Sequence, residues 1–353
     1  MKIEKILHSR IGKIDFNNIA FGNEYSDHMF CSEFKSGKWG NSIIKPFGNI
    51  KFSPISLVFH YGQAVFEGMK AYKDQNEEVF LFRPEENFKR INRSAIRLEM
   101  PTIPENIFMN GLIKLIDIDR DWIPKNYGQS LYIRPFLIAT NGVLSAKPSK
   151  DYMFMIISTP ANTYYQHPLK IKIEEKYSRS ASGGVGFTKA AGNYASSFYP
   201  TRLANEEGFD QILWTDSSTH TMIEESGTMN VFFYLKNKLI TPKPNDNILS
   251  GITCKSILSL AKEEGFFVEE RNLNVSEIIE GLQSGELKEA FGCGTAVVIN
   301  YFETISYKGN NFCLPNITDK KRISLHLKRR LLDIQHNRSK DPFGWRVQLK
   351  KFS

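Results

Sequence analysis

Residues 183–194 read GGVGFTKAAGNY, which sets Lys189 among small side chains with Phe187 close by in sequence. Such neighbours leave room for a bulky planar group against the backbone. A lysine held in an apolar pocket is desolvated, and its neutral amine becomes a nucleophile able to form a Schiff base. The plainer alternative is a glycine-rich turn carrying an exposed lysine. Phosphate binding of the P-loop kind does not fit, because GGVG lacks that spacing and does not end in Gly-Lys followed by Ser or Thr. Lys70 is a competing amine, but its neighbours Met69 and Tyr72 leave less space for a ring.

Three further segments could complete a site around an amine. Residues 222–230, MIEESGTMN, carry paired glutamates before a Ser-Gly-Thr turn. One carboxylate turned inward would suit a pyridinium nitrogen, which needs a buried anion to stay protonated. Thr228 and the turn amides could hold a ligand anion. A solvated hairpin end would read the same. Residues 250–253, SGIT, open a predicted helix, where free N–H groups and the helix dipole favour phosphate, although an ordinary capped helix has the same sequence. Residues 292–295, GCGT, end a predicted strand and suit either close phosphate approach or a tight turn. Residues 59–72, FHYGQAVFEGMKAY, place Tyr61, Phe66 and Tyr72 without clean helix or strand periodicity. That pattern fits a pocket wall, with a core segment as the alternative.

Positioning these residues falls to alternating strands and helices. Strands are predicted at 79–82, 131–139, 152–158, 211–215, 229–234, 239–241, 266–269, 289–293 and 297–299 from β-branched and aromatic content. Helices are predicted at 84–100, where Pro84 opens the first turn, at 250–264, stopped by Gly265, and near 320–334. Another helix is expected after Tyr194, with Pro200 as a source of a kink. The whole is mixed α/β in two domains: 1–160, a linker at 161–172 that overlaps the two-proline stretch 160–168, and 173–353. A cleft between the domains is the expected place for a small-molecule site. At 353 residues, two domains is also the prior from length.

Composition narrows the function classes. Hydrophobic residues make up 41% and charged residues 24%, as in globular proteins. The net charge of +8 invites a nucleic-acid reading, but Lys and Arg are interleaved with Glu and Asp. The densest basic stretch, residues 320–330, has leucines at helical spacing and reads as a solvated helix face, so no nucleic acid is expected. The four cysteines form no CxxC pair and the seven histidines no HxxxH or HExxH pair, which gives no expected metal and reduced thiols. No run approaches ~18 apolar residues and the start lacks a signal-peptide core, so a soluble, cytoplasmic protein without membrane partners is expected.

Taken together, the chain resembles branched-chain amino-acid aminotransferases, pyridoxal-phosphate enzymes of fold type IV. FHYGQAVFEGMKAY, LFRPEENFKRINRSAIRLEMP, KAAGNY, EESGTMN, LSGIT and GCGTA stand in the family's order at comparable spacing, from about Asn41 to the C-terminus. The resemblance implies that Lys189 bonds the cofactor and shuttles the proton at the substrate Cα. It also implies that Tyr194 hydrogen-bonds the phenolic oxygen and that Glu225, chosen over Glu224 by the shared GTMN string, faces the pyridine nitrogen. Arg90, Ile252, Thr253 and Thr295 are implied phosphate contacts, with Thr228 also at the cofactor. Tyr61, Phe66, Tyr132, Arg134, Tyr164 and Ala296 resemble the substrate pocket. Amino acids such as Leu, Ile and Val, with 2-oxoglutarate and glutamate, are the implied substrates, and a homodimer is the implied assembly. Some animal members carry a CxxC pair after GTA; here residues 296–300 read AVVIN, so no thiol switch is expected there. D-amino-acid transaminases and aminodeoxychorismate lyases share the fold and are the nearest alternatives.

Overall fold

The computed structural model describes residues 1–162, 164–165 and 167–351. The chain forms two compact units. The first comprises Met1–Tyr164, Thr188–Gly192 and Leu332–Ser353, and the second Tyr165–Phe187 and Asn193–Leu331. The chain passes between them at four places, 164/165, 187/188, 192/193 and 331/332, so that the C-terminal residues from Leu332 belong to the first unit; positions 163 and 166 are outside the described residues.

The first unit is built on a ten-stranded sheet. Its main path runs Lys2–Ile3, Ile43–Pro46, His28–Lys35, Tyr152–Ala161, Ser130–Ala139, Met69–Lys73, Val79–Phe82 and Arg346–Leu349. All pairs are antiparallel except the first. Ala64–Phe66 is added along Ser130–Ala139, pairing Phe66 with Phe136. Helices Pro84–Arg97 and Glu105–Ile118 pack their buried stripes, including Ile91, Ala95, Phe108, Leu112 and Leu115, into one core with Phe30, Leu131, Ile133 and Phe154. Burying side chains of this size removes about 1.5–3 kcal/mol each of exposed apolar surface energy, which is what holds helix to sheet.

The second unit carries a nine-stranded mixed sheet. Its order is Ile223–Ser226, Gln211–Thr215, Leu169–Ile173, Val298–Tyr307, Leu287–Gly294, Asn230–Leu235, Lys238–Pro242 and Val268–Arg271, with Asn310–Cys313 beside Val298–Tyr307. Helices Ile252–Glu263 and Val275–Ser284 bury Ile257, Leu260 and Ile278. All four cysteines are free thiols.

Several predicted elements lie at their predicted places: Val79–Phe82 and Gln211–Thr215 coincide, and the helix expected at 250–264 spans Ile252–Glu263. Pro200 does not kink a helix. The chain forms Ala191–Ala195, breaks, and starts again at Phe198, so that Pro200 sits in a first turn, where its missing N–H costs nothing.

Candidate active site

Residues 57–73 show why one aromatic-rich segment lacks a period. Helix Leu57–Tyr61 stops at Gly62, whose φ of 61° is the left-handed C-cap geometry; two short strands, Ala64–Phe66 and Met69–Lys73, follow. Lys189 is tied to this region through its backbone. Its N–H donates to Ser94 Oγ at 3.1 Å, its carbonyl accepts from Phe66 N at 3.1 Å, and the next residue, Ala190, bridges Val65. Lys189 Nζ then lies over the Phe66 ring, 4.8 Å from its centre. A cation over an aromatic face is stabilised by the ring quadrupole, so the amine is placed by contact on a strand-borne wall.

The same wall gathers other predicted pocket residues. Arg134 Cζ stands 4.5 Å from the Phe66 ring centre and 5.3 Å from that of Tyr132, and its Nη2 donates to the Tyr132 hydroxyl at 3.0 Å. Phe21 contacts Tyr132 and Tyr164 edge-on, at 5.0 and 5.1 Å between centroids. Phe21 escapes sequence reading, because it lies in a stretch without periodic signal. Tyr132 also comes so close to Gly68 that a Cβ there would lie 2.1 Å from its hydroxyl oxygen. Tyr61 ends its helix about half exposed, and no ring or hydrogen-bond contact ties it to this group among the described residues. Lys70, the competing amine, is buried within the strand Met69–Lys73 and registers opposite Tyr132.

Beneath the wall sits a buried ion pair. Glu67, fully buried, receives Arg90 Nε at 2.6 Å and Nη2 at 2.9 Å, Asn87 Nδ2 at 2.7 Å and Gly68 N at 3.1 Å. Burial alone would raise its carboxyl pKa. The Arg90 charge and hydrogen bonds, with Lys189 and Asn87 adding, outweigh that and hold it below the usual carboxylate range. Arg90, expected as a phosphate contact, is thus fixed through Nε and Nη2 by a carboxylate to which the sequence alone assigns no role. Glu67 and Asn87 are visible there only as two polar residues inside otherwise ordinary strings.

In the second unit, Glu225, Thr228, Thr295 and the Ile252–Thr253 helix start are linked through Asn230 and its strand partner Cys293. Asn230 pairs with Cys293, which brings the turn at Gly227–Thr228 beside Gly294; a Cβ on Gly294 would lie 3.3 Å from the Thr228 carbonyl. Glu225, 3% exposed, forms an ion pair from Oε1 to Arg179 Nε at 2.6 Å, and its Oε2 accepts from Leu249 N at 3.2 Å and Asn230 Nδ2 at 3.5 Å. Asn230 also donates to the Leu249 carbonyl at 2.9 Å. This anchors the approach to helix Ile252–Glu263, whose N-cap, Gly251, brings no side chain to its first N–H groups. Gly251 is required by contact: a Cβ would lie 1.9 Å from Asn230 Oδ1. Thr228 is exposed at its turn, and Thr295 and Ala296 lie half-buried in the turn between Leu287–Gly294 and Val298–Tyr307. That turn ends in strain, because Val298 holds a φ of 64°, a left-handed value that β-branched residues rarely adopt. Tyr194 is half-buried in Ala191–Ala195, where its carbonyl accepts from Ser197 N and Oγ.

Arg179 is the residue of this set that sequence reasoning misses. It donates through Nη1 to the carbonyls of Gly186 and Asn247, at 3.1 and 2.8 Å, and so pins the loop that runs on into Lys189. Its signal in the sequence is nil, a lone arginine ten positions before the lysine.

The donor set fits a phosphorylated, nitrogen-containing ring. A helix start whose N-cap offers no side-chain hydrogen bond, with Thr253 in its first turn, suits a phosphate. A buried carboxylate suits a protonated ring nitrogen, and a lysine amine suits an aldehyde.

Comparison with known proteins agrees with that chemistry. Residues 64–300 match the family model for amino-transferase class IV. A probable branched-chain-amino-acid aminotransferase of Staphylococcus epidermidis is 44% identical over 345 residues, 96% of each chain. Branched-chain-amino-acid transaminase 1 of Bacillus subtilis is 40% identical over 344 residues, again 96% of each. In fold, the chain is similar to the branched-chain amino acid aminotransferase from Thermobaculum terrenum in its PLP-form, with a TM-score of 0.74 at 22% identity over 93% of this chain and 100% of that one. The lysine, its aromatic wall and the buried carboxylate therefore sit in a chain that belongs to the class IV aminotransferase family.

Proposed function

We propose that the chain is a pyridoxal-phosphate-dependent branched-chain aminotransferase, which exchanges an amino group between Leu, Ile or Val and 2-oxoglutarate. The observation that carries the cofactor part is the linkage of Glu225, the start of Ile252–Glu263 and the Thr295 turn through Asn230 and its strand partner Cys293. The substrate part is supported by relatives at 40–45% identity that carry that activity in their names.

When bound, the cofactor supplies an electron sink for the charge left at the substrate Cα. Lys189 holds and moves the proton at that carbon, and the Phe66 face keeps its amine placed. Glu225 keeps negative charge opposite the ring nitrogen, and Tyr194 hydrogen-bonds the phenolic oxygen. The N–H groups of Ile252 and Thr253, the hydroxyls of Thr253, Thr295 and Thr228, and Arg90 hold the phosphate end. Tyr61, Phe66, Tyr132 and Tyr164 offer aromatic surface to an aliphatic side chain, with Arg134 and Ala296 toward the substrate carboxylate. The working form is a cytoplasmic homodimer, an assignment that rests on the family likeness. Among the described residues no helix is long and apolar enough to cross a membrane.

Purified protein should show a visible absorption band that borohydride abolishes while fixing the cofactor to Lys189. It should convert L-leucine with 2-oxoglutarate far faster than D-alanine. Rapid turnover of D-alanine with none of L-leucine would move the assignment to a D-amino-acid transaminase. A colourless protein that pyridoxal phosphate cannot reconstitute would end it.

A further inference from the structure

The strand Ile223–Ser226 is buried along its whole length and places two glutamates in succession, each 3% exposed. One guanidinium pairs with Glu225 and is linked to Glu224 through Asn247. Arg179 gives Nε to Glu225 at 2.6 Å and spends Nη1 on two carbonyls, one of them that of Asn247. The side chain of Asn247 in turn donates to Glu224 Oε1 at 2.6 Å, so Asn247 links the two carboxylates through the arginine. A close pair such as Arg179–Glu225 cancels most of the charge Glu225 could show to a third group. As the counter-ion of a ring cation, Glu225 would then be weak.

Glu224 supplies the missing charge. With both carboxylates ionised, Arg179, Glu224 and Glu225 sum to −1; with Glu224 protonated they sum to zero. We propose that Glu224 is a positioning residue of the ring-nitrogen site, whose ionised carboxylate offsets Arg179 so that Glu225 keeps net negative charge toward the cofactor ring. The proposal rests on the reading of Glu225 as the group that faces that nitrogen.

Two orphaned oxygens leave a place for a proton on Glu224. Glu224 Oε2 and Asn247 Oδ1 are both buried, both are acceptors, and neither has a hydrogen-bond partner among the described residues. A proton on Oε2 is the one donor that this pair of side chains lacks. Burial pushes the Glu224 carboxyl up to about 7; Glu225 and Asp216 push the same way, while the Asn247 hydrogen bond and Arg179 oppose them. Below that pH the group is neutral. Above it, the group is ionised and the site carries its extra charge. A ring cation arriving next to Glu225 favours the ionised form and expels the proton.

The test compares wild type, Glu224→Gln and Glu225→Gln for pyridoxal phosphate affinity from pH 6 to 8.5. Taking the ratio of wild type to Glu224→Gln cancels the cofactor's own ionisations. That ratio should rise on the order of tenfold as pH passes through about 7, one pKa unit's worth of coupling. A ratio that is flat with pH overturns the proposal even if both proteins bind, because a merely structural role gives a constant offset. If Glu225→Gln binds the cofactor as wild type does, the assignment of Glu225 fails and the proposal falls with it. Infrared difference spectra of the cofactor-free wild type give a readout that needs no variant. The band of a protonated carboxyl should disappear as pH is raised through about 7. Its absence at pH 6 overturns the proposal.

Discussion

Glu67→Gln should be among the most damaging single-atom changes in the first unit. The substitution keeps volume but replaces a carboxylate that accepts four hydrogen bonds with an amide whose NH2 must face the donors of Arg90 or Asn87. Arg90, 6% exposed, then loses the negative charge of Glu67 from beside its guanidinium. Removing one partner of such a pair costs about 3–5 kcal/mol. For a unit of this size, each kcal/mol moves the midpoint of thermal unfolding by about 2–4 °C, so a fall of roughly 10 °C is expected. The pH dependence follows from the sign of the Glu67 shift. Its carboxyl is held low in the folded protein, so its contribution is fully present above its ordinary value near 4.5 and is lost as pH falls through the lowered one. The deficit of Glu67→Gln should therefore be large at pH 7 and shrink in strong acid. Thermal melts at several pH values, with hydrogen exchange followed over residues 57–73, would measure it. The pair Glu67→Leu with Arg90→Met should recover most of the stability, because apolar side chains of similar size often replace a buried ion pair without loss. A Glu67→Gln deficit below about 0.5 kcal/mol at pH 7, or one that persists undiminished in acid, would refute the assignment of Glu67 as the ionised clamp on Arg90.

Three other expectations separate binding from chemistry. Lys189→Ala should lower transamination at least ~10³-fold and give no borohydride-fixed adduct, while fluorescence titration still detects pyridoxal phosphate bound through its phosphate. Retained turnover would move the reactive amine elsewhere. Gly251→Ala forces a Cβ to 1.9 Å from Asn230 Oδ1, and the shift, worth about 1–3 kcal/mol of overpacking, should weaken cofactor affinity by at least about tenfold in equilibrium dialysis. Unchanged affinity would remove that helix start from the phosphate site. Gly68→Ala drives Tyr132 from its place and should raise KM for L-leucine with little effect on cofactor affinity; a change in the latter alone would take Tyr132 out of the substrate pocket.

Elements are legible in the sequence where one period dominates. Val79–Phe82, Gln211–Thr215 and the helix beginning at Pro84 have bounded, uniform patterns, and local propensity agrees with burial there. Helix Glu105–Ile118 and strand His28–Lys35 escape such reading although both are well buried, because each mixes polar residues into its apolar stripe and relies on the other for a partner. The site shows the same division more sharply. Lys189, Glu225 and the Ile252–Thr253 start lie in strings whose glycines and paired charges are unusual by themselves. Glu67, Asn87 and Arg179 act through partners 20 or more positions away, and no short window of sequence contains both ends of those contacts. Groups that would touch the cofactor leave local marks, whereas the groups that hold them in charge and place do not. Glu224 joins the two classes: its position beside Glu225 is plain in the sequence, but only the fold shows that both side chains are buried and linked through Arg179 and Asn247. A chain with Gln at 224 would read almost identically as sequence and would differ in the net charge that Arg179, Glu224 and Glu225 carry together, a difference that only the contacts reveal.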